Sequence, residues 1–126
     1  YIHAWNSHDV TRIDSFYDDK VSWYDLAQQQ TYQGKKVVSK AIIEYFLTPV
    51  KNMYWVKTGL TYRQGSSLIY EWEYGGNFSG QWGDIKLQEK RFKLKGLSIT
   101  TVNAKGKIVE HRDYYDMASF EQALLN

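Results

Sequence analysis

The chain has no cysteine and a single proline, Pro49, in 126 residues. Without thiols there is no disulfide, no thiolate nucleophile and no cysteine-ligated metal. The three histidines, His3, His8 and His111, make no metal-ligand spacing, so neither a metal nor a cofactor is expected. No Gly-rich phosphate loop and no Ser-His-Asp logic can be read. Apolar runs stay far short of a membrane span, and no signal-peptide pattern opens the chain. A cytoplasmic protein with no membrane partner is expected. The chain starts on Tyr1 rather than methionine, which leaves a removed leader open. A net charge of +2 is too small for a nucleic-acid footprint. The basic run "EKRFKLKG" alternates its charges with Phe92 and Leu94, as a strand with one solvated face does.

What is abundant is aromatic surface: 11 Tyr, 5 Trp and 5 Phe. Such side chains favour strands and suit a lined pocket or an oligomer interface. The length fits one domain over residues 1–126. Tyr1, Ala4, Trp5 and His8 fall on one helical stripe, and Asp9 can cap a second helix that buries Val10, Ile13, Phe16 and Tyr17. Residues 21–27 read as a strand and "QQQTYQGK" as a turn or loop. The longest helix runs from Lys36 to Leu47 with Val38, Ala41, Ile42, Tyr45 and Phe46 buried, and Pro49 stops it. After that the period changes to two, with strands expected near 53–63, 67–75, 77–83, 90–102 and 107–115, punctuated by Gly65, Gly75-Gly76 and "NAKG". Met117 to Leu125 reads as a terminal helix capped by Asp116. Helices followed by an antiparallel meander predict an α+β fold with a strongly curved sheet around helices on its concave face, and a hollow between them.

The ionisable residues concentrate in "EHRDYYD", Glu110 to Asp116. Strand parity sends Val109, His111, Asp113 and Tyr115 to one face and Glu110, Arg112, Tyr114 and Asp116 to the other. His111 and Asp113 therefore reach a cavity if Val109 enters the core, while Arg112 pairs with Glu110 outside. In "SWYD", Trp23 and Asp25 share a face. In "LIYEWEYGG", Glu71 and Glu73 share one face and Tyr70, Trp72 and Tyr74 the other. Two arrangements follow. Either the aromatics face inward and the glutamates face water, or the glutamates line a polar pocket and the aromatic stripe needs a partner sheet. If Asp25, Glu71, Glu73 and Asp113 converge in a dry hollow, burial and like charge hold at least one neutral, so that one site keeps both an acid and a base.

"AWNSHDVTRIDSFYDDKVSWYD", "YQGKKVVSKAIIEYF" and "GKIVEHRDYYDMASF", in that order, resemble the SnoaL-like polyketide cyclase family of the nuclear-transport-factor-2-like superfamily. The resemblance covers essentially the whole chain. It implies a cone-shaped, mainly antiparallel sheet with helices closing its wide end, often dimeric through the sheet's outer face, and so favours the second arrangement of "YEWEY". Tyr70, Trp72 and Tyr74 would then form a homodimer interface. It further implies that Asp113 matches the family's acid/base for an intramolecular aldol closure. Related epoxide hydrolases of the limonene-epoxide-hydrolase type carry a similar final-strand motif with an Arg-x-Asp pair. Here the matching pair is Glu71-x-Glu73, with no arginine to hold two carboxylates in opposite protonation states, which disfavours that activity. The expected function is a small enzyme acting on an apolar molecule, of cyclase or isomerase type. Asp113, Glu71 and Glu73 are its expected catalytic residues, and Trp23, Asp25, His111 and Tyr115 its substrate-binding residues. A non-catalytic ligand-binding or dimerisation module on the same scaffold is the alternative.

Overall fold

The computed structural model describes residues 1–82 and 85–125. Two short helices open the chain, α1 (Ile2–Asn6) and α2 (Val10–Asp14). Asp9 caps α2, its Oδ1 accepting from the Thr11 amide at 2.9 Å. Then come β1 (Tyr17–Asp25), β2 (Gln30–Gln33), α3 (Lys35–Ile42), β3 (Val50–Gln64), β4 (Ser67–Trp82), β5 (Ile85–Val102), β6 (Ile108–Tyr114) and α4 (Met117–Leu125). The six strands form one mixed sheet in the order β2-β1-β6-β5-β4-β3. Among the described residues the β1–β6 pair is parallel and the other pairs are antiparallel.

The α+β expectation holds, and the sheet is open and strongly bent. Neighbouring strands lie about 4.8 Å apart, so in a flat sheet β6 and β3 would be separated by roughly 14 Å. Yet the His111 ring on β6 lies 6.1 Å from the Trp55 ring on β3. The sheet must curl to bring them together. Trp5 of α1 fills the concavity, 6.0 Å from Trp23 on β1 and 5.7 Å from Trp55 on β3. Helix packing inside the curl buries Ile13, Val21, Val38, Ile42 and Leu124 completely or nearly so.

Four local differences from the sequence reading matter. Residues 30–33, expected in a loop, form β2 and make a hairpin with β1. The strands expected at 67–75 and 77–83 are one strand up to Trp82, and Gly83 lies outside the described residues. Gly75-Gly76 therefore lies within the strand and is not a turn. Gly76 sits at φ +152°, where an added Cβ would meet the Lys51 carbonyl oxygen at 2.9 Å, so two backbones approach closely there. Finally, α3 does not run evenly to Leu47. Ile43–Leu47 is a π-helical turn, closed by the Thr48 amide donating to the Ile43 carbonyl at 2.9 Å. The extra residue per turn leaves Tyr45 exposed and turns Phe46 toward the core.

Candidate active site

The polar centre of the molecule is built on β6 and the two strands that flank it. Parity along β6 buries His111 and Asp113, 1% and 7% exposed. Parallel pairing sets Trp23 beside His111 and Asp25 beside Asp113. Antiparallel pairing on the other side sets Thr100 beside His111 and Ser98 beside Asp113. The register thus gives each ionisable side chain a polar neighbour before any side chain is considered.

Asp113 accepts three hydrogen bonds. Ser98 Oγ donates to Oδ1 at 2.6 Å, His111 Nε2 to Oδ1 at 2.7 Å, and Trp23 Nε1 to Oδ2 at 2.9 Å. An ionised carboxylate offers about four acceptor positions, so one on Oδ2 remains. Burial, the largest single influence, pushes the Asp113 pKa up. It is outweighed by the charge of His111 and the hydrogen bonds from His111, Ser98 and Trp23, and the net direction is downward. The carboxylate is held ionised although it is buried.

The donors are themselves held. Trp72 Nε1 donates to Ser98 Oγ at 2.7 Å, so the serine hydrogen is directed at Asp113. On the other ring nitrogen of His111, Nδ1 lies 3.2 Å from Thr100 Oγ1, which is 2.8 Å from the Tyr70 hydroxyl. Both His111 nitrogens are occupied, which fixes the ring and leaves Asp113 as the group with a free position.

Asp25 is buried a few ångströms along β1. Its Oδ2 accepts from the Tyr115 hydroxyl at 2.7 Å and its Oδ1 from the Gln28 amide at 3.0 Å. Burial dominates and the charge of Asp113 adds to it, and together they raise the Asp25 pKa against those hydrogen bonds. Two neighbouring carboxyls are therefore driven in opposite directions. That is the arrangement expected of an acid/base pair, but it is made by Asp25 and Asp113, without the glutamates.

Above Asp113 lies a small apolar cavity of about 40 Å³, enough for more than one water by the usual minimum of about 10–15 Å³. Trp5, Trp23, Phe46, Trp55, Trp72 and Tyr74 are among its walls, together with His111, Asp113 and Tyr115. Among the described residues, His111 is the one basic side chain that lines it. Phe46, carried by the π-helical turn, stacks on Trp23 at 5.4 Å. Phe46, Tyr74 and Phe120 also border a second, wider hollow of about 390 Å³.

The structure brings Trp23, Asp25, His111, Asp113 and Tyr115 together. It does not bring Glu71 and Glu73 to them. Tyr70, Trp72 and Tyr74 are buried on the concave face, whereas Glu71 is exposed and Glu73 half-buried on the convex one, its Oε2 accepting from the Tyr54 hydroxyl at 2.8 Å. The expected convergence of glutamates is corrected, and so is the expected dimer stripe, because those three aromatics are not on the outer face. Burying each aromatic contributes about 1.5–3 kcal/mol, while burying a carboxylate costs several kcal/mol unless it is paired. The aromatics win the interior. Arg112 is on the outer face, 4.0 Å from Glu110 and over the rings of Tyr24 and Tyr114, so it supplies no cation between the buried acids. Ser98 and Thr100 are not singled out by the sequence, which reads Trp72 and Phe46 as interface and core positions rather than as walls of the site. A signal for the first two exists: Phe92, Leu94, Gly96, Ser98 and Thr100 alternate, and the inward face turns from apolar to hydroxyl opposite His111 and Asp113. Among the described residues, no group of three or more His, Cys, Asp or Glu side chains is placed to hold a metal ion, and no helix is long and apolar enough to cross a membrane.

A family model described as SnoaL-like polyketide cyclase matches residues 1–124. No curated protein matches the chain. Similar solved structures include a protein assigned as a SnoaL-like polyketide cyclase from Shewanella putrefaciens, with a TM-score of 0.86 and 16% identity over 98% of this chain and 90% of that one. A protein of ketosteroid isomerase-like fold from Catenulispora acidiphila, in complex with trimethylamine, has a TM-score of 0.77 and 18% identity over 98% and 87%. TerC, co-crystallised with polyporic acid, has a TM-score of 0.79 and 16% identity over 99% and 92%. At these identities the structural likeness establishes the fold.

Proposed function

From the premise that the chain belongs to the SnoaL-like polyketide cyclase family, we propose that it binds an apolar, carbonyl-bearing small molecule and moves a proton on it with Asp113. The observation that carries this reading is the free acceptor position on a buried, ionised carboxylate at the floor of an aromatic cavity.

The chemistry follows from the charge state. A carboxylate with a lowered pKa is a weak base, so it suits a C–H bond already made acidic by an adjacent carbonyl. The C–H bond breaks, its proton goes to Asp113 Oδ2, and its electron pair delocalises onto the carbonyl oxygen as an enolate. In a cyclase reaction the enolate carbon then forms a C–C bond with a second carbonyl of the same molecule, and the new alkoxide takes a proton back. In an isomerase reaction the proton returns to a different carbon. His111, Ser98 and Trp23 hold Asp113 in place through both directions, and the surrounding rings keep water out. The co-crystallisation of TerC with polyporic acid supports a small organic molecule as the class of ligand, and the aromatic walls of the cavity suit a flat, apolar ring system.

The experiment is hydrogen exchange on 2-tetralone, whose C1–H₂ lies between a carbonyl and an aryl ring, followed by ¹H NMR in D₂O. The wild type is expected to accelerate exchange, and Asp113→Asn to abolish the acceleration while tryptophan fluorescence still reports binding. Absence of any acceleration by the wild type, with binding retained, would instead identify a non-catalytic binding module on this scaffold. In either case a ring system enters the cavity of about 40 Å³ only if Phe46 or its neighbours move.

A further inference from the structure

Tyr74 is 8% exposed, and its hydroxyl is a fully buried polar atom with no hydrogen-bond partner among the described residues. Buried hydroxyls are nearly always paired, because leaving one unmade sacrifices its bonds to water with no return. The ring stands in the wall between the cavity above Asp113 and the wider hollow beside it, and it lines both. Its neighbours there are the Phe46 and Phe92 rings, at 5.9 Å and 5.6 Å, which offer no acceptor. The other unpartnered donor in the cavity wall is Trp5 Nε1. That indole bears on the Tyr1 phenol, whose ionisation it influences, whereas nothing comparable engages Tyr74.

We propose that the Tyr74 hydroxyl is a ligand-binding group that donates a hydrogen bond to an oxygen of the bound molecule, so that the site selects oxygenated rings over hydrocarbons of the same shape. The ligand class is a flat, apolar ring compound with a carbonyl or phenolate oxygen at one edge. The proposal rests on the reading of the cavity as a small-molecule site but does not require catalysis. Entry is through the hollow that Phe46, Tyr74 and Phe120 border, with the π-helical turn carrying Phe46 aside. Tyr74 and Asp113 line the same cavity, so one ring compound can engage both, and a phenol bound to its carbonyl oxygen would stabilise the charge of an enolate. Burial pushes the Tyr74 pKa upward, so the phenol keeps its proton and stays a donor.

The test compares binding of 2-tetralone and tetralin, which differ by one oxygen, to the wild type and to Tyr74→Phe by tryptophan fluorescence. The wild type is expected to prefer the ketone by about tenfold, the worth of one net hydrogen bond, and Tyr74→Phe to lose that preference while binding tetralin as well as before. Thermal unfolding is the control: removing an unpaired hydroxyl should leave the midpoint unchanged or raised. An equal ketone preference in both proteins, failure of both probes to bind the wild type, or a lowered midpoint showing that the hydroxyl was already paired, each overturns the proposal. Exchange activity reports separately on Asp113. A Tyr74-dependent preference without exchange upholds this inference and sinks the catalytic reading, and the converse result does the opposite.

Discussion

Ser98 Oγ accepts from Trp72 Nε1 at 2.7 Å and donates to Asp113 Oδ1 at 2.6 Å. One hydroxyl thereby ties the aromatic wall of the cavity to the carboxylate at its floor. Replacing Ser98 by alanine removes a donor from Asp113 and leaves the Trp72 N–H without its acceptor. The expected cost is about 1–3 kcal/mol of stability, read from urea unfolding. Because the Ser98 bond is among the influences that lower the Asp113 pKa, a ¹³C NMR titration should find the carboxyl of the variant protonating at higher pH than in the wild type. An unshifted titration would mean that the serine does not hold the charge.

Gly96 pairs directly with Trp72 across β4 and β5. A Cβ there would lie 2.5 Å from Trp72 Cζ2 and 2.9 Å from the Tyr114 carbonyl oxygen. Gly96→Ala must therefore push the indole away from Ser98, an overpacking cost of about 1–3 kcal/mol. Tryptophan emission should shift, and ligand binding should weaken more than it does in a variant destabilised elsewhere by the same amount.

The two buried aspartates give opposite pH signatures. The pKa of Asp113 is lowered from the ordinary 3.8, so its contribution to stability is complete above 3.8 and is lost as pH falls through the lower folded value. That of Asp25 is raised, so the folded state takes up its proton first and gains stability as pH falls from the raised value toward 3.8. Urea midpoints measured across the acid range should show Asp113→Asn flattening the loss below 3.8 and Asp25→Asn removing the gain above it. Identical profiles for the two variants would contradict the divergence of the pair.

Glu71 and Glu73 serve as internal controls, since both lie on the convex face. Glu71→Gln should change stability by no more than about 0.5 kcal/mol and leave ligand binding unchanged. Glu73→Gln should weaken only the tie to Tyr54. A large loss of exchange activity in either would put the convex face back into the chemistry.

Much of this site was legible in the chain because β6 keeps simple parity from His111 onward, although the pattern breaks before it and Ile108, not the expected Val109, is the residue buried in the core. Alternation in "VEHRDYY" put His111, Asp113 and Tyr115 on one side, and "SWYD" put Trp23 and Asp25 on the matching side of β1. What the residues left open was the face of β4. Alternation alone allowed Tyr70, Trp72 and Tyr74 to face inward, and the family likeness, by implying a dimer through the sheet's outer face, pointed the other way. The hydrophobic term decides that choice, since three large rings outweigh two carboxylates that have no buried cation. The π-helical turn was not legible at all. A stripe read at 3.6 residues per turn buries both Tyr45 and Phe46, and only the Thr48-to-Ile43 hydrogen bond shows the extra residue that goes with Tyr45 being exposed. Ser98 and Thr100 become visible only once β5 is set in register against β6, which depends on the shift between Thr101 and Val102.

The decisive measurement is the rate of 2-tetralone C1–H exchange in D₂O near neutral pH, taken side by side for the wild type and Asp113→Asn at saturating ligand. Proton transfer by Asp113 predicts a loss of about 100-fold or more in the variant, with the dissociation constant little changed. Equal rates in the two proteins would contradict it.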